Sequence, residues 1–256
     1  MSVVRGTFRP MTLDHLALLS RFQDQFLAAI PAADADVRIP ACGDWRVREL
    51  VEHLAEVHHW AAGNARGVEG AALGDGPFDL APHYAAQAAL LRETLAELDP
   101  GSDCRVLTHP DPLGPGPVRF WHRRQTHETL VHLHDLLAAS AGGAAAGLVG
   151  AAPEVWADTV DEVVGVLQPR QVGLGRMEPL RFPVVLVATD LAGAPTWVLG
   201  AQGERTDEVA PDVVAAGTAE ALALTLWRRL TPDEAGLVVT GDRGDLEAAL
   251  AQPIVP

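Results

Sequence analysis

The chain has 256 residues, 48% of them hydrophobic, which is enough apolar material for one large domain or two ordinary ones, and we expect two. The formal net charge is −15 and neither half contains a cluster of Lys and Arg, so nucleic acid and anionic membrane surfaces are disfavoured as partners. The chain shows no signal-peptide pattern and no run of roughly 20 apolar residues, so we expect a soluble, cytoplasmic protein.

Helical periodicity predicts three helices in the first hundred residues. Thr12 is the candidate N-cap of the first helix, which Pro31 ends. Asp44 is the candidate N-cap of the second helix, which continues to about Ala62. Pro82 suits the first turn of an Ala- and Leu-rich third helix.

The segment from Pro100 to Pro117 is predicted to be a long loop, because Gly and Pro recur throughout it. These residues are absent from Val118 to about Ser140, and leucines at helical spacing there predict a fourth helix. Four helices of similar length are typical of a four-helix bundle.

The Ala- and Gly-rich stretch from Ser140 to Ala152 predicts a boundary between two domains, at residues 1–145 and 152–256. A helix is predicted from Pro153 to about Leu167, followed by β-rich runs at RFPVVLVATD, TWVLGA and GLVVTGD. Two more helices are expected, one through LALTLWRRL and one at Leu246. Helices mixed with short strands favour an α+β domain on an antiparallel or mixed sheet.

Glu128 and His132 stand four residues apart in RRQTHETLVHLHD and therefore share one face of the fourth helix, away from its leucine seam. One interpretation is an exposed ion pair worth a few tenths of a kcal/mol. The other is a metal site, which needs at least one more ligand. His53, in the second helix, is the candidate for that ligand.

Two imidazoles and one carboxylate suit zinc with open coordination positions, although the same set accepts Fe(II), Ni(II) or Mn(II). An open site is typical of catalysis rather than of structural zinc. Arg124 and Asp135 lie one turn from Glu128 and His132, where they either orient these ligands or form ordinary surface pairs.

The remaining histidines and the cysteines are predicted to lie outside this ligand set. The cysteines are Cys42 and Cys104, and they lack the C-x-x-C spacing of a thiolate metal site. We expect inert thiols in a reducing compartment. His58, His59, His127 and His134 are expected either at the surface or beside the ligands without binding the metal.

Together, DWRVRELVEHLAEVHHWA and RRQTHETLVHLHD resemble the two motifs of the mycothiol-dependent maleylpyruvate isomerase family, a branch of the DinB-like metal-binding four-helix bundles. The resemblance implies that His53, Glu128 and His132 bind a divalent metal, with zinc favoured. It extends to DTVDEVVGVLQPR, GTAEALALTLWRRL and VVTGDRGDLEAAL, which are similar to the family's smaller α/β, sterol-carrier-like domain. Arg229 matches the family's arginine for an acidic substrate; the alternative is a solvated pair with Arg228 at a helix end.

The chain departs from the family pattern where the second helix begins. The family has Ser or Thr after the tryptophan, which forms a capping box, whereas Arg46 follows Trp45 here. We therefore expect Asp44 to cap this helix.

The resemblance also implies a chemistry. A low-molecular-weight thiol such as mycothiol would bind the metal as its thiolate and attack a small electrophilic substrate. Addition to a double bond and departure would give isomerisation, and displacement of a leaving group would give S-transfer. Two alternatives stay open: a zinc hydrolase acting through metal-bound water, and a non-catalytic metal- or ligand-binding protein on the same scaffold.

Overall fold

The computed structural model describes residues 13–68, 72–107, 113–200 and 213–256. The described residues between 14 and 144 form one compact unit, and those from 145 to 256 form another. Thr12, the predicted first N-cap, lies outside the described residues, and Asp14 caps the first helix by accepting the Ala17 N–H at 3.0 Å. The domain limits at 1–145 and 152–256 stay a prediction.

The N-terminal unit is helical over most of its described length. Its helices are α1 (His15–Ala29), α2 (Val47–Ala65), α3 (Leu80–Glu97) and α4 (Arg119–Ala141). Both α1 and α2 pack against α3 and against α4, so the four helices form a bundle as predicted. Its core contains fully buried side chains such as Leu19, Phe22, Leu54, Leu91 and Leu130.

The start of α2 differs from the prediction, because Asp44 does not cap it. The Asp44 side chain is fully exposed, and the N-cap is Arg46, whose N–H donates to the Glu49 carboxylate at 2.8 Å. The Val47 N–H donates to the Val37 carbonyl at 2.9 Å. The preceding loop thus folds back, and its carbonyl groups satisfy N–H groups of the first turn of α2 that have no partner within the helix.

The predicted loop from Pro100 to Pro117 contains a regular element, so the loop prediction is wrong there. Strands β1 (Asp103–Val106) and β2 (Gly114–Pro117) pair antiparallel in a two-stranded ribbon. Each strand of such a ribbon has one unpaired edge, so prolines without an N–H are tolerated. A Cβ on Gly116 would collide with the Val106 side chain, and glycine therefore permits this close pairing.

The C-terminal unit combines helices with one described sheet. The helices are α5 (Pro153–Glu162), α6 (Gln168–Gly173), α7 (Ala219–Leu226) and α8 (Arg243–Ala251), and a π-helical turn at Val163–Leu167 joins α5 to α6. The strands are β3 (Val184–Ala188), β4 (Thr196–Leu199), β5 (Val213–Gly217) and β6 (Val238–Gly241). They lie in the order β4, β3, β5, β6, with β3 and β5 parallel and the other pairs antiparallel. The predicted fold class, helical followed by α+β, is confirmed.

Strand β5 is missing from the sequence prediction, although it lies inside the sheet. Its residues VVAAG are mostly small, and small residues carry little strand propensity. Thr218 follows directly and caps α7 by accepting the Ala221 N–H. The helix predicted through LALTLWRRL ends early at Leu226, and Arg228 has the left-handed φ of 57°. No helix among the described residues has both the length and the apolar content needed to cross a bilayer.

Candidate metal centre

The structure brings the three predicted ligands together between α2 and α4. His53 lies on α2, and Glu128 and His132 lie one turn apart on α4. The His132 Nε2 atom is 3.3 Å from the Glu128 Oε1 atom, and the His53 Nε2 atom is 3.7 Å from the same oxygen. The two imidazole rings meet edge to face, with centroids 5.3 Å apart. We call His53, Glu128 and His132 the ligand cluster.

The spacing of the ligand cluster fits a small divalent cation. Two ligand atoms bound at about 2.0–2.1 Å to a tetrahedral zinc ion lie roughly 3.3 Å from each other. The distances from Oε1 of Glu128 to the two imidazole nitrogens, 3.3 and 3.7 Å, are close to this separation. All three ligand atoms lie within 4.8 Å of one another. The donor set and its spacing are therefore compatible with a three-ligand metal site.

His132 is held in the orientation that a ligand needs. Its Nδ1 atom is 3.0 Å from the Oδ2 atom of Asp135, a carboxylate whose side chain is only 1% exposed. An Nδ1–H that donates to Asp135 leaves the Nε2 lone pair directed at the ligand cluster. Asp135 therefore orients the ligand and does not form the surface pair that the sequence left open.

Cys42 contacts this same carboxylate from outside the ligand cluster. Its thiol donates to the Asp135 Oδ2 atom at 3.7 Å across 93 residues of sequence. Cys42, Asp135 and His132 form an overlapping group that also has ligand spacing. Cys104 lies in β1 and is buried there, outside both groups. No periodic pattern in the sequence signals a contact made by an irregular loop.

Arg124 forms an ion pair with the second carboxylate oxygen of Glu128. It lies one turn before Glu128 on α4, and its Nη2 atom pairs closely with the Oε2 atom. The Arg124 side chain is 4% exposed and the Glu128 side chain 14%. The His132 side chain is 8% exposed. The interpretation of Glu128 and His132 as an exposed surface pair is therefore wrong.

Burial disfavours the charged forms of Glu128 and His132, but interactions with neighbouring side chains favour those forms more strongly. Burial by itself raises the pKa of Glu128, but Arg124 and the two imidazoles hold that pKa well below its usual value. Burial lowers the pKa of His132, but the hydrogen bonds to Asp135 and Glu128 raise it overall. Glu128 is therefore ionised near neutral pH and presents an anionic oxygen to a cation.

The ligand cluster is accessible from the side of His53. The His53 side chain is 32% exposed, whereas that of His132 is 8% exposed. The Trp45 ring packs on His53 with centroids 4.6 Å apart, which restricts the imidazole without covering it. A small molecule can therefore approach the cluster past His53.

Three of the four histidines predicted not to bind the metal do not lie at the surface, which was one of the two positions expected for them. His58, His127 and His134 are fully buried, so a surface position is wrong for these three. His59 is half-buried, and its Nδ1 atom lies 3.1 Å from the Gln87 Oε1 atom.

Arg229 belongs to the C-terminal unit and lies beyond the end of α7. It is half-buried, and its Nη1 atom donates to the Trp227 carbonyl oxygen at 2.7 Å. Its guanidinium carbon lies 5.8 Å from the centroid of the Trp227 ring. Its role towards an acidic substrate stays a prediction.

The N-terminal unit is a four-helix bundle in which two imidazoles and a carboxylate from facing helices converge, an arrangement that could hold a metal ion. Residues 16–137 match the family model described as the mycothiol maleylpyruvate isomerase N-terminal domain. The resemblance inferred from the two helical motifs is thereby confirmed.

Two solved structures have a similar fold. One is a crystal structure of a histidine-to-alanine mutant of mycothiol-dependent maleylpyruvate isomerase, with a TM-score of 0.63 and 14% identity over 92% of this chain and 95% of that one. The other is a crystal structure of mycothiol-dependent maleylpyruvate isomerase, with a TM-score of 0.58 and 16% identity over 86% of this chain and 90% of that one. At these identities the matches show a common fold. None of the curated proteins matches the chain significantly.

Proposed function

We propose that this protein is a divalent-metal enzyme, with zinc as the favoured metal, that uses a low-molecular-weight thiol such as mycothiol to isomerise or S-conjugate a small electrophile. The observation that carries the proposal is the ligand cluster, in which neighbouring side chains orient the two α4 ligands while His53 remains accessible. The match of residues 16–137 to the mycothiol maleylpyruvate isomerase family model supports the thiol as cosubstrate.

A bound divalent cation would supply the thiol as its thiolate near neutral pH. The chain's own residues prepare the site for this chemistry. Glu128 presents one anionic oxygen, and Asp135 fixes His132 with Nε2 towards the cluster. The burial of both α4 ligands limits the access of water, and the exposed edge of His53 leaves a path for small molecules.

Isomerisation and S-transfer place the same demand on this site. The thiolate sulfur bonds to one carbon of a cis double bond while the π-electron pair moves onto the conjugated carbonyl as an enolate. Rotation follows about the resulting single bond, and return of the electron pair expels the same thiolate and restores the double bond as trans. In S-transfer, a leaving group departs with the electron pair and the sulfur stays on the product. Arg229 is proposed to bind the carboxylate of an acidic substrate, for which its permanently charged guanidinium is suited.

The first test is metal analysis of the wild type beside His132→Ala, followed by titration of both proteins with mycothiol. About one equivalent of metal is expected in the wild type and little in the variant, from a site of three protein ligands. Turnover is then measured with maleylpyruvate, the substrate after which the two similar enzymes are named, with and without thiol.

The outcomes separate the competing functions. Thiol-dependent turnover supports the proposal. Turnover without thiol would indicate a metal hydrolase, and saturable ligand binding with no product under any thiol would indicate a binding protein. Failure of the wild type to bind a divalent metal after reconstitution would remove the ligand cluster from the function.

A further inference from the structure

The two oxygens of the Glu128 carboxylate have different partners. Oε1 faces the imidazoles of His53 and His132, at 3.7 and 3.3 Å. Oε2 pairs with the guanidinium of Arg124. One oxygen is thus directed into the ligand cluster, and the other is directed along α4 away from it.

Arg124 is suited to holding Oε2 permanently. Its guanidinium remains protonated at any pH at which proteins fold, and it offers donors in a rigid plane. The side chain is 4% exposed, so this cation has lost most of its contact with water. Separating it from Glu128 would leave a buried charge without this counterion, which is strongly unfavourable. The carboxylate therefore cannot easily rotate to offer both oxygens to a cation.

We propose that Arg124 is a positioning residue that restricts Glu128 to one-oxygen coordination, and thereby keeps a coordination position open for the thiol. This inference rests on the metal centre under Proposed function. A carboxylate can bind a cation through one oxygen or through both, and the second mode occupies an additional position. Three single-atom ligands leave a tetrahedral cation one free position, which is the arrangement of catalytic rather than structural zinc sites.

A purely structural role for the pair makes a different prediction. If Arg124 only neutralises a buried charge, its removal lowers the stability of the fold but leaves the coordination number unchanged in molecules that remain folded. If Arg124 positions the carboxylate, its removal frees Oε2 and raises the coordination number. Stability alone does not separate the two roles, whereas a spectroscopic measure of coordination does.

The experiment uses the full chain loaded with Co(II), because four-coordinate cobalt absorbs visible light much more strongly than five-coordinate cobalt. Wild type is compared with Arg124→Met, Arg124→Lys and Arg92→Met. Arg92 is the matched control, because it pairs with Asp24 in the same bundle at 2.7 Å and contacts none of the three ligands. Mycothiol is then added, and its binding is followed by sulfur-to-cobalt charge-transfer absorption.

We expect strong visible absorption from wild type and from Arg92→Met, and weaker absorption from Arg124→Met. Arg124→Lys, which keeps a cation beside Oε2 but loses the planar fork, is also expected to absorb more weakly than the wild type. Thiol affinity of Arg124→Met should fall by about tenfold or more, the scale of outer partners that tune metal ligands.

Identical cobalt spectra and thiol affinities in wild type and folded Arg124→Met would overturn the inference. If Arg124→Met does not fold, a Lys variant with the spectrum of higher coordination supports it, because a lysine offers a single point charge instead of a planar fork. A Lys variant with the wild-type spectrum and wild-type thiol affinity would then overturn it. Failure of wild type to bind cobalt would instead overturn the proposed metal centre, so the two failures are distinguishable.

Discussion

Two histidines buried in the same bundle have opposite electrostatic environments. His132 contacts the carboxylates of Asp135 and Glu128, and its pKa is raised in spite of burial. His58 lies on α2 with its Nδ1 atom 2.9 Å from the Gln125 Oε1 atom, and burial lowers its pKa to about 4. Burial alone therefore does not determine how an imidazole behaves, because the charge of its partner decides the outcome.

The surroundings of His58 also lack the complete pairing seen around the ligand cluster. Its Nε2 atom and the Tyr84 hydroxyl are buried without a hydrogen-bond partner among the described residues, and the two rings lie 5.6 Å apart. In the ligand cluster, by contrast, the second polar atom of Glu128 and of His132 is occupied by Arg124 and Asp135, respectively. The difference indicates that the ligand cluster stabilises charged side chains, whereas the surroundings of His58 favour a neutral imidazole. We call the first the charged region and the second the neutral region.

The largest expected effect tests the charged region directly. Alanine at His53 or His132 removes a ligand, and metal affinity should fall by more than the about 10–100-fold typical of outer-partner substitutions. Competition with a chelator measures this affinity. His59→Ala is the control, because His59 lies on the same helix as His53 but outside the ligand cluster. Equal affinities for all three variants would contradict the assignment of His53 and His132.

The neutral region predicts an acid-dependent loss of stability. The pKa of His58 is lowered from 6.5 to about 4 in the folded protein, so the unfolded chain binds this proton first as pH falls. The free energy of unfolding therefore keeps the full contribution of neutral His58 above pH 6.5. This contribution decreases towards pH 4, by about 3 kcal/mol in total. Its neighbours Gln125 and Tyr84 do not ionise in this window; Glu128 raises the pKa of His58, and His132 lowers it.

Urea unfolding of metal-free protein between pH 4 and 7 measures this contribution. The difference in unfolding free energy between wild type and His58→Gln should shrink as the pH falls, because only the wild type loses stability by protonation at this position. His59→Gln supplies the comparison, since His59 is only half-buried. A difference that stays constant with pH would show that His58 does not remain neutral in the folded state.

The sequence was sufficient to predict that Glu128 and His132 lie together on α4, but it was not sufficient to predict which residues contact them. Helical geometry alone places Glu128 and His132 on one face, the second helix offers His53 as a third ligand, and the resemblance supports that choice. The contact between Cys42 and Asp135 joins an irregular loop to a helix, and such contacts leave no periodic signal. Spacing suggested that Arg124 could reach Glu128, but only the fold shows that this pair is buried.

The fold shows the same division between periodic and irregular features. Long amphipathic helices were predicted to within a few residues, because a 3.6-residue period repeats over several turns. The β1–β2 ribbon and β5 were not predicted, since β2 consists of Gly and Pro and three of the five residues of β5 are Ala or Gly, which carry little strand propensity. Whether loop carbonyls cap a helix is also decided by the tertiary fold, as the Val37 carbonyl at the start of α2 illustrates.

A smaller effect is expected from the carboxylate that orients His132. Asp135→Asn keeps the shape of the side chain but removes its charge, and metal affinity should fall by about 10–100-fold. The chelator competition used for the ligand variants measures it, with Glu56→Gln as the control for loss of a negative charge at an exposed position of α2. Wild-type affinity in Asp135→Asn would show that His132 is oriented without Asp135.

The smallest expected effect concerns Cys42, and it distinguishes the two overlapping ligand groups. If the metal binds to His53, Glu128 and His132, the Cys42 thiol only donates a weak hydrogen bond to Asp135. Cys42→Ser preserves a donor there, so metal affinity should change by less than about threefold, within the net worth of one hydrogen bond. Cys104→Ser is the control for substituting a thiol away from the cluster. If Cys42→Ser instead weakens binding more than Asp135→Asn does, Cys42 is itself a ligand, and the ion lies in the group formed by Cys42, Asp135 and His132.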